Sequence, residues 1–168
     1  MMNTGSLKVT TPTDTDIVMT RTFNAPRPLV WEAMSRPELL KKWLFGPPGW
    51  SMIVCDDDPR VGGKFRWVWR NTDGSEMTLS GTYHEVVAPE RVVRTERFDS
   101  GCDVQGGEQR AKLELAEQGE QTNLTLTVSF PTREARDMAI ASGMEHGVAA
   151  GYDRLDEMLV KGFAQEAS

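Results

Sequence analysis

Arg94 and Glu96 are the charged residues of this sequence best placed to do chemistry inside a protein. They alternate with Val92 and Phe98 along one face of a predicted strand, which would point both charges inward among apolar side chains. Inward charges must pair with each other or with a ligand, because an isolated buried charge is costly. The alternative is a solvated pair on the outer face of the sheet, and the pattern leaves both interpretations open.

Motifs for catalysis and metal binding are scarce. His84 and His146 belong to no HExxH motif, and no Cys/His cluster offers zinc ligands. Gly62-Gly63-Lys64 lacks the upstream glycine of a phosphate-binding loop, since Asp58 stands there. The run Asp56-Asp57-Asp58 is predicted to be a solvated turn rather than a divalent-ion site. We therefore expect no catalytic residue, no metal site and no cofactor, and an enzyme is the weaker hypothesis.

Aromatic side chains are concentrated in the predicted sheet and short helices. Phe65, Trp67 and Trp69 share one face of a strand whose other face carries Lys64 and Arg66. Tryptophans fill a small core poorly without gaps, and their N–H groups need partners when buried. The cluster indicates either an ordinary packed core or an apolar cavity edged by polar groups, the usual form of a small-molecule site.

Three glycines, Gly143, Gly147 and Gly151, recur at every fourth residue of a helix predicted over Glu134–Val160. Each costs roughly 1 kcal/mol relative to alanine in a helix interior, so the three together cost about 3 kcal/mol. A fold stable by about 5–15 kcal/mol should gain something in return. The gain is either close packing against a neighbouring surface or side-chain volume left out to shape a cavity.

Composition excludes several classes of partner. A net charge of -6 without a basic stripe argues against nucleic acid. No apolar run approaches the roughly 20 residues of a membrane span, and the polar, Thr-rich start has no signal-peptide core. Cys55 and Cys102 lie far apart in no CxxC spacing, which indicates free thiols in a reducing compartment. We expect a cytoplasmic protein with no nucleic-acid or membrane partner.

The elements that must position these residues follow from periodicity. Residues 1–15 are predicted to be a flexible leader, and residues 16–163 a single domain. The domain begins with a strand at Ile17–Phe23, followed by two short helices that start near Pro26–Pro28 and at Pro37. Six strands and the long helix complete it, with a mobile loop over 99–108. The six strands are predicted over residues 51–55, 64–71, 76–87, 91–98, 109–116 and 122–130. Short turns between strands require antiparallel pairing, which gives an α+β class.

This order of elements resembles the helix-grip fold of the START/Bet v 1-like (SRPBCC) superfamily, a curved antiparallel sheet wrapped around a long C-terminal helix. Several motifs resemble the family named for homology to the activator of the Hsp90 ATPase. They are Trp43–Pro47, Gly62–Phe65, Gly81–Val86 and Pro89–Val93, with Ser142–Glu145 and Tyr152–Leu155 similar to a bacterial subgroup. The resemblance covers about residues 16–162 and implies a deep pocket between the concave face of the sheet and the last helix.

Together these observations predict a binding protein for a small hydrophobic or aromatic molecule. Its expected wall comprises Trp43, Phe45, Trp67, Trp69, Tyr83, Phe98, Met144, Val148 and Gly151. Arg94 and Glu96 are the expected polar contacts. One alternative is an enzyme of cyclase or dehydratase type, with Arg94/Glu96 or Tyr83 in proton transfer. Another is an interaction module for an Hsp90-type chaperone, and a homodimer is compatible with all three.

Overall fold

The computed structural model describes residues 7–44, 48–99 and 104–161, except for the side chains of 104–107. The described strands are β1 Lys8–Thr10, β2 Asp16–Phe23, β3 Trp50–Asp57, β4 Lys64–Asn71, β5 Glu76–Val87, β6 Arg91–Asp99, β7 Val104–Gln118 and β8 Gln121–Ser129. The described helices are α1 Arg27–Ser35, α2 Pro37–Trp43, α3 Arg133–Ala141 and α4 Met144–Lys161. None of these helices is long and apolar enough to cross a membrane.

One antiparallel sheet contains all eight described strands, in the order β1-β2-β8-β7-β6-β5-β4-β3. Strands β3 to β8 each pair with their neighbour in the chain, as their tight turns require. The remaining seam joins β2 to β8, with Asp16 opposite Ser129 and Phe23 opposite Thr122. The structure confirms the predicted α+β helix-grip fold, with two short helices between the first long strand and the rest of the sheet.

Alternation along the strands decides which side chains enter the core. In β4, Phe65, Trp67 and Trp69 are buried while Lys64 and Arg66 are exposed. The concave face therefore carries the aromatic rings and is covered by the helices. The bounds of β4 and β5 are those predicted, because apolar and polar residues alternate over Lys64–Trp67 and Met77–Tyr83 in the sequence and turn residues follow both strands.

Two predictions about loops need correction. Lys8–Thr10 pairs with β2, with Val9 opposite Met19, so this part of the expected leader is an edge strand of the sheet. Strand β7 begins at Val104, so the second half of the expected mobile loop over 99–108 is also strand. In both places pairing with a neighbouring strand stabilises a segment whose own apolar pattern is weak.

The single long helix predicted over 134–160 is wrong. The segment forms two helices that are separated at Ser142–Gly143, and Gly143 has a left-handed φ of 81°. Glycine is favoured just past a helix end because it adopts this conformation without steric cost. The apolar period continues across the break, and for that reason the hydrophobic pattern alone did not reveal it.

Buried arginines anchor the two C-terminal helices. Arg21 of β2 donates from Nη1 to Asp153 of α4 at 2.6 Å, and from Nη2 to Asp156 at 3.4 Å. Arg136 of α3 donates from Nη1 to the carbonyl oxygen of Thr13 at 2.6 Å. Each helix therefore has its own connection to the N-terminal part of the sheet.

Candidate functional site

Arg94 and Glu96 point inward, so of the two interpretations left open by the sequence the buried one is correct. Nε of Arg94 donates to Oε2 of Glu96 at 2.7 Å, and only 17% and 5% of the two side chains are exposed. The other carboxylate oxygen, Oε1, accepts a hydrogen bond from Nε2 of Gln109 at 2.8 Å. Both oxygens of Glu96 are thus engaged, which is the usual condition for burying a carboxylate.

Small residues lie opposite this pair on the neighbouring strands. Gly81 of β5 lies opposite Glu96, and Ala111 of β7 lies opposite Arg94. A Cβ at Gly81 would stand 1.8 Å from the carbonyl oxygen of Thr95 and 2.9 Å from Cε1 of Phe65. The position therefore admits no side chain, because the backbone of β6 approaches it too closely.

The guanidinium of Arg94 lies over aromatic rings. Its Cζ atom is 4.9 Å from the ring centroid of Phe65 and 5.0 Å from that of Trp67, a cation–π arrangement. Burial acts to lower the pKa of Arg94, but the charge of Glu96 and the neighbouring Tyr83 outweigh it, and the pKa lies above its ordinary value. Arg94 is therefore a fixed positive charge, and its five N–H donors exceed its hydrogen bonds to Glu96 and to the hydroxyl of Tyr83.

Asp57 is a site residue that the sequence analysis missed. Its Oδ1 accepts a hydrogen bond from the Tyr83 hydroxyl at 2.5 Å, and its Oδ2 accepts one from Nε1 of Trp67 at 3.1 Å. Burial raises the pKa of Asp57, while these donors and Arg94 partly oppose the shift. The expected solvated turn over 56–58 was wrong for this residue because β3 extends to Asp57 and places it opposite Phe65. The sequence did offer one signal: Asp57 follows Cys55 at a spacing of two residues, which would place both side chains on the same face of a strand.

Tyr83 is buried, as expected of a wall residue, but its hydroxyl is already committed to Asp57. Burial, together with the charge of Asp57, raises the pKa of Tyr83 well above its ordinary range, although Arg94 acts in the opposite direction. A hydroxyl bound in this way is a poor proton donor to a ligand, which weighs against the catalytic role considered for it.

Tyr152 of α4 is a second residue missed from sequence. It is 5% exposed, with its ring edge-on to Phe23 at 5.5 Å and tilted against Trp43 at 6.0 Å between centroids. Burial raises the pKa of Tyr152, and Arg94 and Glu96 are the charges that affect it most. Its hydroxyl forms no hydrogen bond to any group in residues 7–44, 48–99 or 104–161. On a helical projection Tyr152 falls at the edge of the apolar face, a position that hid its proximity to the charged pair.

The remaining predicted wall residues divide between two regions of the core. Trp43, Trp67, Trp69 and Tyr83 lie in one buried cluster, and Gly151 packs on Trp43. Met144 packs against a second cluster around Ile17, Met19, Val128, Phe130 and Ala135. Phe98 is partly exposed near the end of β6, opposite Leu79. Phe45 lies outside the described residues.

Leu126 and Val148 occupy the space between the two clusters. Each packs against both clusters and yet remains only partly buried. Leu113 of β7 is also partly buried. The middle of the concave face is thus less tightly enclosed than either end.

The three glycines do not form one surface. Gly147 is exposed with nothing within 4 Å of a Cβ built on it, and Gly143 lies in the break between the helices. Of the three, Gly151 alone is buried, with a built Cβ 3.7 Å from Cε3 of Trp43. The interpretation of the glycine spacing as a cavity-forming stripe is therefore wrong.

An open groove lies on the other side of the sheet. Its lining includes Asp56, Lys64, Arg66, Ser80 and Thr82. Lys64 and Arg66 alternate with the inward rings of β4 and face away from Arg94 and Glu96. The lining also includes Phe65 and Gly81, which adjoin the inward polar group, but none of the described residues of the predicted wall lines this groove.

Residues 24–160 match the model of the family described as Activator of Hsp90 ATPase homolog 1-like protein. The chain belongs to this family. The match covers both short helices, β3 to β8 and nearly all of α4, so it includes every described residue of the inward polar group.

Solved structures of similar proteins share the architecture of this chain. One from Rhodobacter sphaeroides is 32% identical with a TM-score of 0.87, and the alignment covers 94% of this chain and 100% of that one. One from Nitrosomonas europaea is 30% identical with a TM-score of 0.74, covering 90% and 99%. A protein from Silicibacter pomeroyi that carries the same family name shares the fold at 22% identity and a TM-score of 0.69, covering 86% and 97%. No curated protein matches the chain.

Proposed function

We propose that this protein binds a small hydrophobic or aromatic molecule between the concave face of the sheet and α4. The observation that carries the proposal is the Arg94–Glu96 pair, which lies among aromatic rings with N–H donors of Arg94 left over. A buried ion pair adds little stability over well-packed apolar residues. Recognition of a ligand would explain why this pair is buried, which its contribution to stability does not.

Residual accessibility supports the same conclusion. The Arg94 side chain keeps 17% of its surface accessible although it lies on a central strand beneath the helices. Leu126 and Val148, between the two buried clusters, are also partly accessible. A ligand with an apolar body would bury this surface and would contact Arg94 at one end.

The proposed wall keeps the residues expected from sequence. Trp67 and Tyr83 flank Arg94, and Val148 faces the sheet from α4. Trp43, Phe45, Trp69, Phe98, Met144 and Gly151 complete the proposed set.

Filling the proposed site with a side chain provides the test. In Val148→Trp an indole would occupy the partly buried position between the clusters. Binding of the neutral probe N-phenyl-1-naphthylamine, followed by its fluorescence, should be saturable at one molecule per chain and at least tenfold weaker in this variant. The matched control is Val160→Trp, on the same helix but 64% exposed, which should bind as the wild type does. Equal binding by Val148→Trp, or no saturable binding to the wild type, would contradict the proposal.

Native mass spectrometry of freshly purified protein gives an independent test. A bound small molecule should appear as a discrete mass increment that is lost on denaturation. The half-buried Cys55 thiol is consistent with the reducing cytoplasm that we propose as the location, so expression there is appropriate.

A chaperone partner is a second candidate, favoured by the description of the family whose model the chain matches. It predicts that adding the protein raises the steady-state ATPase rate of an Hsp90-type chaperone from the same cell. An unchanged rate at a tenfold excess of the protein would rule it out. The Val148→Trp variant separates the two functions, because a surface interaction should survive it.

A further inference from the structure

We infer that the outer face of the sheet binds an extended acidic segment of a partner protein through a cationic patch, formed by Lys64, Arg66, Arg97 and Arg110. The patch lies on the side of the sheet away from the helices, where the open groove is also found. Its side chains alternate along their strands with residues of the concave face. The inference is therefore independent of the proposed function.

Strand pairing brings the four cations together from three strands. Arg66 of β4 lies opposite Ser80 of β5, and Ser80 lies opposite Arg97 of β6. The neighbouring row of partners runs, in order from β4 to β7, through Lys64, Thr82, Thr95 and Arg110. Cross-strand partners share one face of a sheet, so these side chains form one surface. All four cations are exposed on it.

The side chains of the cationic patch lack the partners that other cations on the same strands have. Arg70 of β4 and Arg91 of β6 each hold a carboxylate, at 2.7 and 2.9 Å. No hydrogen bond or ion pair to a described residue involves the side chains of the patch. Glu85 lies near Arg110, but it already accepts two hydrogen bonds from Arg91. The donors of the patch are thus available to carboxylates of another molecule.

Two carboxylates border the cationic patch. Asp56 of β3 lies opposite Arg66, and Glu108 of β7 lies opposite Arg97. Neither forms an ion pair with the arginine beside it. Four cations and two carboxylates make this surface locally positive, in a chain whose net charge is -6. An acidic partner is therefore attracted here and repelled by most of the remaining surface.

The shape of the surface favours an extended segment over a small molecule. Small-molecule sites enclose most of their ligand, whereas this groove is open and its lysine and arginine are exposed. Strand β5 lies between β4 and β6, which sets Arg66 and Arg97 on strands about 10 Å apart. An extended peptide directs successive side chains to opposite sides, so its carboxylates can reach both strands. Carboxylates two residues apart have the same spacing as Lys64 and Arg66, about 7 Å.

Hydroxyl groups form the surface between the cations. Ser80, Thr82 and Thr95 are partly buried, and each hydroxyl can donate or accept a hydrogen bond. They suit the N–H and C=O groups of a peptide backbone. A single-stranded nucleic acid would instead need exposed rings for its bases to stack on, and Phe65, the aromatic residue of the groove lining, is 2% exposed.

A short rhodamine-labelled peptide of alternating glutamate and serine tests the inference, with a peptide of glutamine and serine as its matched control. Fluorescence polarisation should show saturable binding of the glutamate peptide to the wild type and none of the glutamine peptide. Binding should weaken as salt is added, because exposed charges are screened over about 10 Å at about 0.1 M salt. In Arg66→Gln/Arg97→Gln the affinity should fall about fivefold or more, since two exposed ion pairs are lost.

Arg133→Gln/Lys161→Gln is the control variant, because it removes the same charge from exposed residues of α3 and α4. It should change the affinity by less than about twofold. Urea unfolding midpoints close to the wild-type value show that both variants are folded.

Four outcomes would overturn the inference. They are no binding of the glutamate peptide to the wild type, an equal loss of affinity in the two variants, displacement of the peptide by inorganic phosphate at constant ionic strength, and equally tight binding of a labelled oligothymidylate. Displacement by phosphate would assign the cationic patch to single anions, and binding of the oligothymidylate would assign it to nucleic acid. Loss of affinity confined to Arg66→Gln/Arg97→Gln, with neither competitor effective, is the result expected.

Discussion

The ring of Trp43 packs on the backbone of Gly151, where a built Cβ would lie 3.7 Å from Cε3 of the indole. This contact joins α2 to α4, and Nη1 of Arg154 reinforces it with a hydrogen bond of 2.8 Å to the carbonyl oxygen of Trp43. The other two glycines of the same spacing have different surroundings. Their substitutions should therefore have different effects on stability.

Gly147→Ala should stabilise the protein by about 0.5–1 kcal/mol, because the position is helical, exposed and free of neighbours. Gly143→Ala should destabilise it by about 1 kcal/mol, because alanine is strained at a φ of 81°. Urea unfolding at pH 7 measures both changes. Equal effects of the two substitutions would contradict the different environments described for them.

Tyr83→Phe should cost more stability at neutral pH than in acid. The hydroxyl donates to Asp57, and a hydrogen bond to a charged group is worth about 1.5–3 kcal/mol against about 0.5–1.5 kcal/mol for a neutral one. The larger loss is therefore expected at pH 7 and the smaller near pH 3, because raising the pH favours the ionised form of Asp57. Comparing urea unfolding of wild type and variant at the two pH values removes the effects of other groups.

The sign of the pH effect follows from the raised pKa of Asp57. Its contribution to stability is fully present below the unfolded-state pKa and is lost as the pH rises through the higher folded-state value. Loss of the Tyr83 donor should raise the folded-state pKa further, as read from the carboxyl 13C shift. A lower pKa in Tyr83→Phe would be inconsistent with the observed hydrogen bond.

Arg21 and its carboxylate partners should respond asymmetrically to mutation. The Arg21 side chain is 3% exposed, whereas Asp153 is 68% exposed. Asp153→Ala/Asp156→Ala leaves a buried guanidinium without a carboxylate partner, at a cost of about 3–5 kcal/mol. Arg21→Met should cost about 1–3 kcal/mol, because Asp153 is exposed to water and Asp156, 18% exposed, still accepts a hydrogen bond from the backbone N–H of Asn24.

Denaturant unfolding of these variants distinguishes the two cases. Glu157→Ala is the matched control on α4, since Glu157 forms only an exposed pair with Lys161 at 3.8 Å and should change stability by less than about 0.5 kcal/mol. A larger loss from Arg21→Met than from the double aspartate variant would overturn the expected order.

The thiol of Cys55 should react slowly. Burial, with a further contribution from the charge of Asp57, raises its pKa to about 11. Because the thiolate is the reactive form, modification at pH 7 should be roughly a hundredfold slower than for a free cysteine. Ellman's reagent on a Cys102→Ser variant isolates this thiol, and unfolding in urea should restore the ordinary rate. A fast reaction in the folded protein would contradict the burial of this thiol.

Much of the fold could be predicted because its signals are local. The bounds of Lys64–Asn71 and Glu76–Val87 were found from sequence, because part of each strand alternates between apolar and polar residues and turn residues follow both. Lys8–Thr10 could not be found in this way, because its pairing with Met19 depends on a strand elsewhere in the chain. The helix break at Gly143 was hidden because the apolar period runs through it.

The positions of the aromatic residues in the site could be predicted from sequence, but those of its polar residues could be predicted less well. Phe65 and Trp67 lie on the face expected from alternation, whereas the direction of Arg94 and Glu96 needed the register of β5 and β6. Asp57 and Tyr152 join the group only through tertiary pairing, from β3 and α4. A sequence pattern assigns a residue to a face, but it does not reveal which faces meet.

The seam between β2 and β8 has a consequence for the kinetics of folding. Strands β3 to β8 can pair through contacts between strands that are neighbours in the chain. The pairing of β2 with β8 instead brings together Asp16 and Ser129, which are far apart in sequence. Closing so long a loop is entropically costly, and non-local pairings of this kind slow folding. The meander can therefore form early, and the docking of β2 should be the late step that completes the sheet.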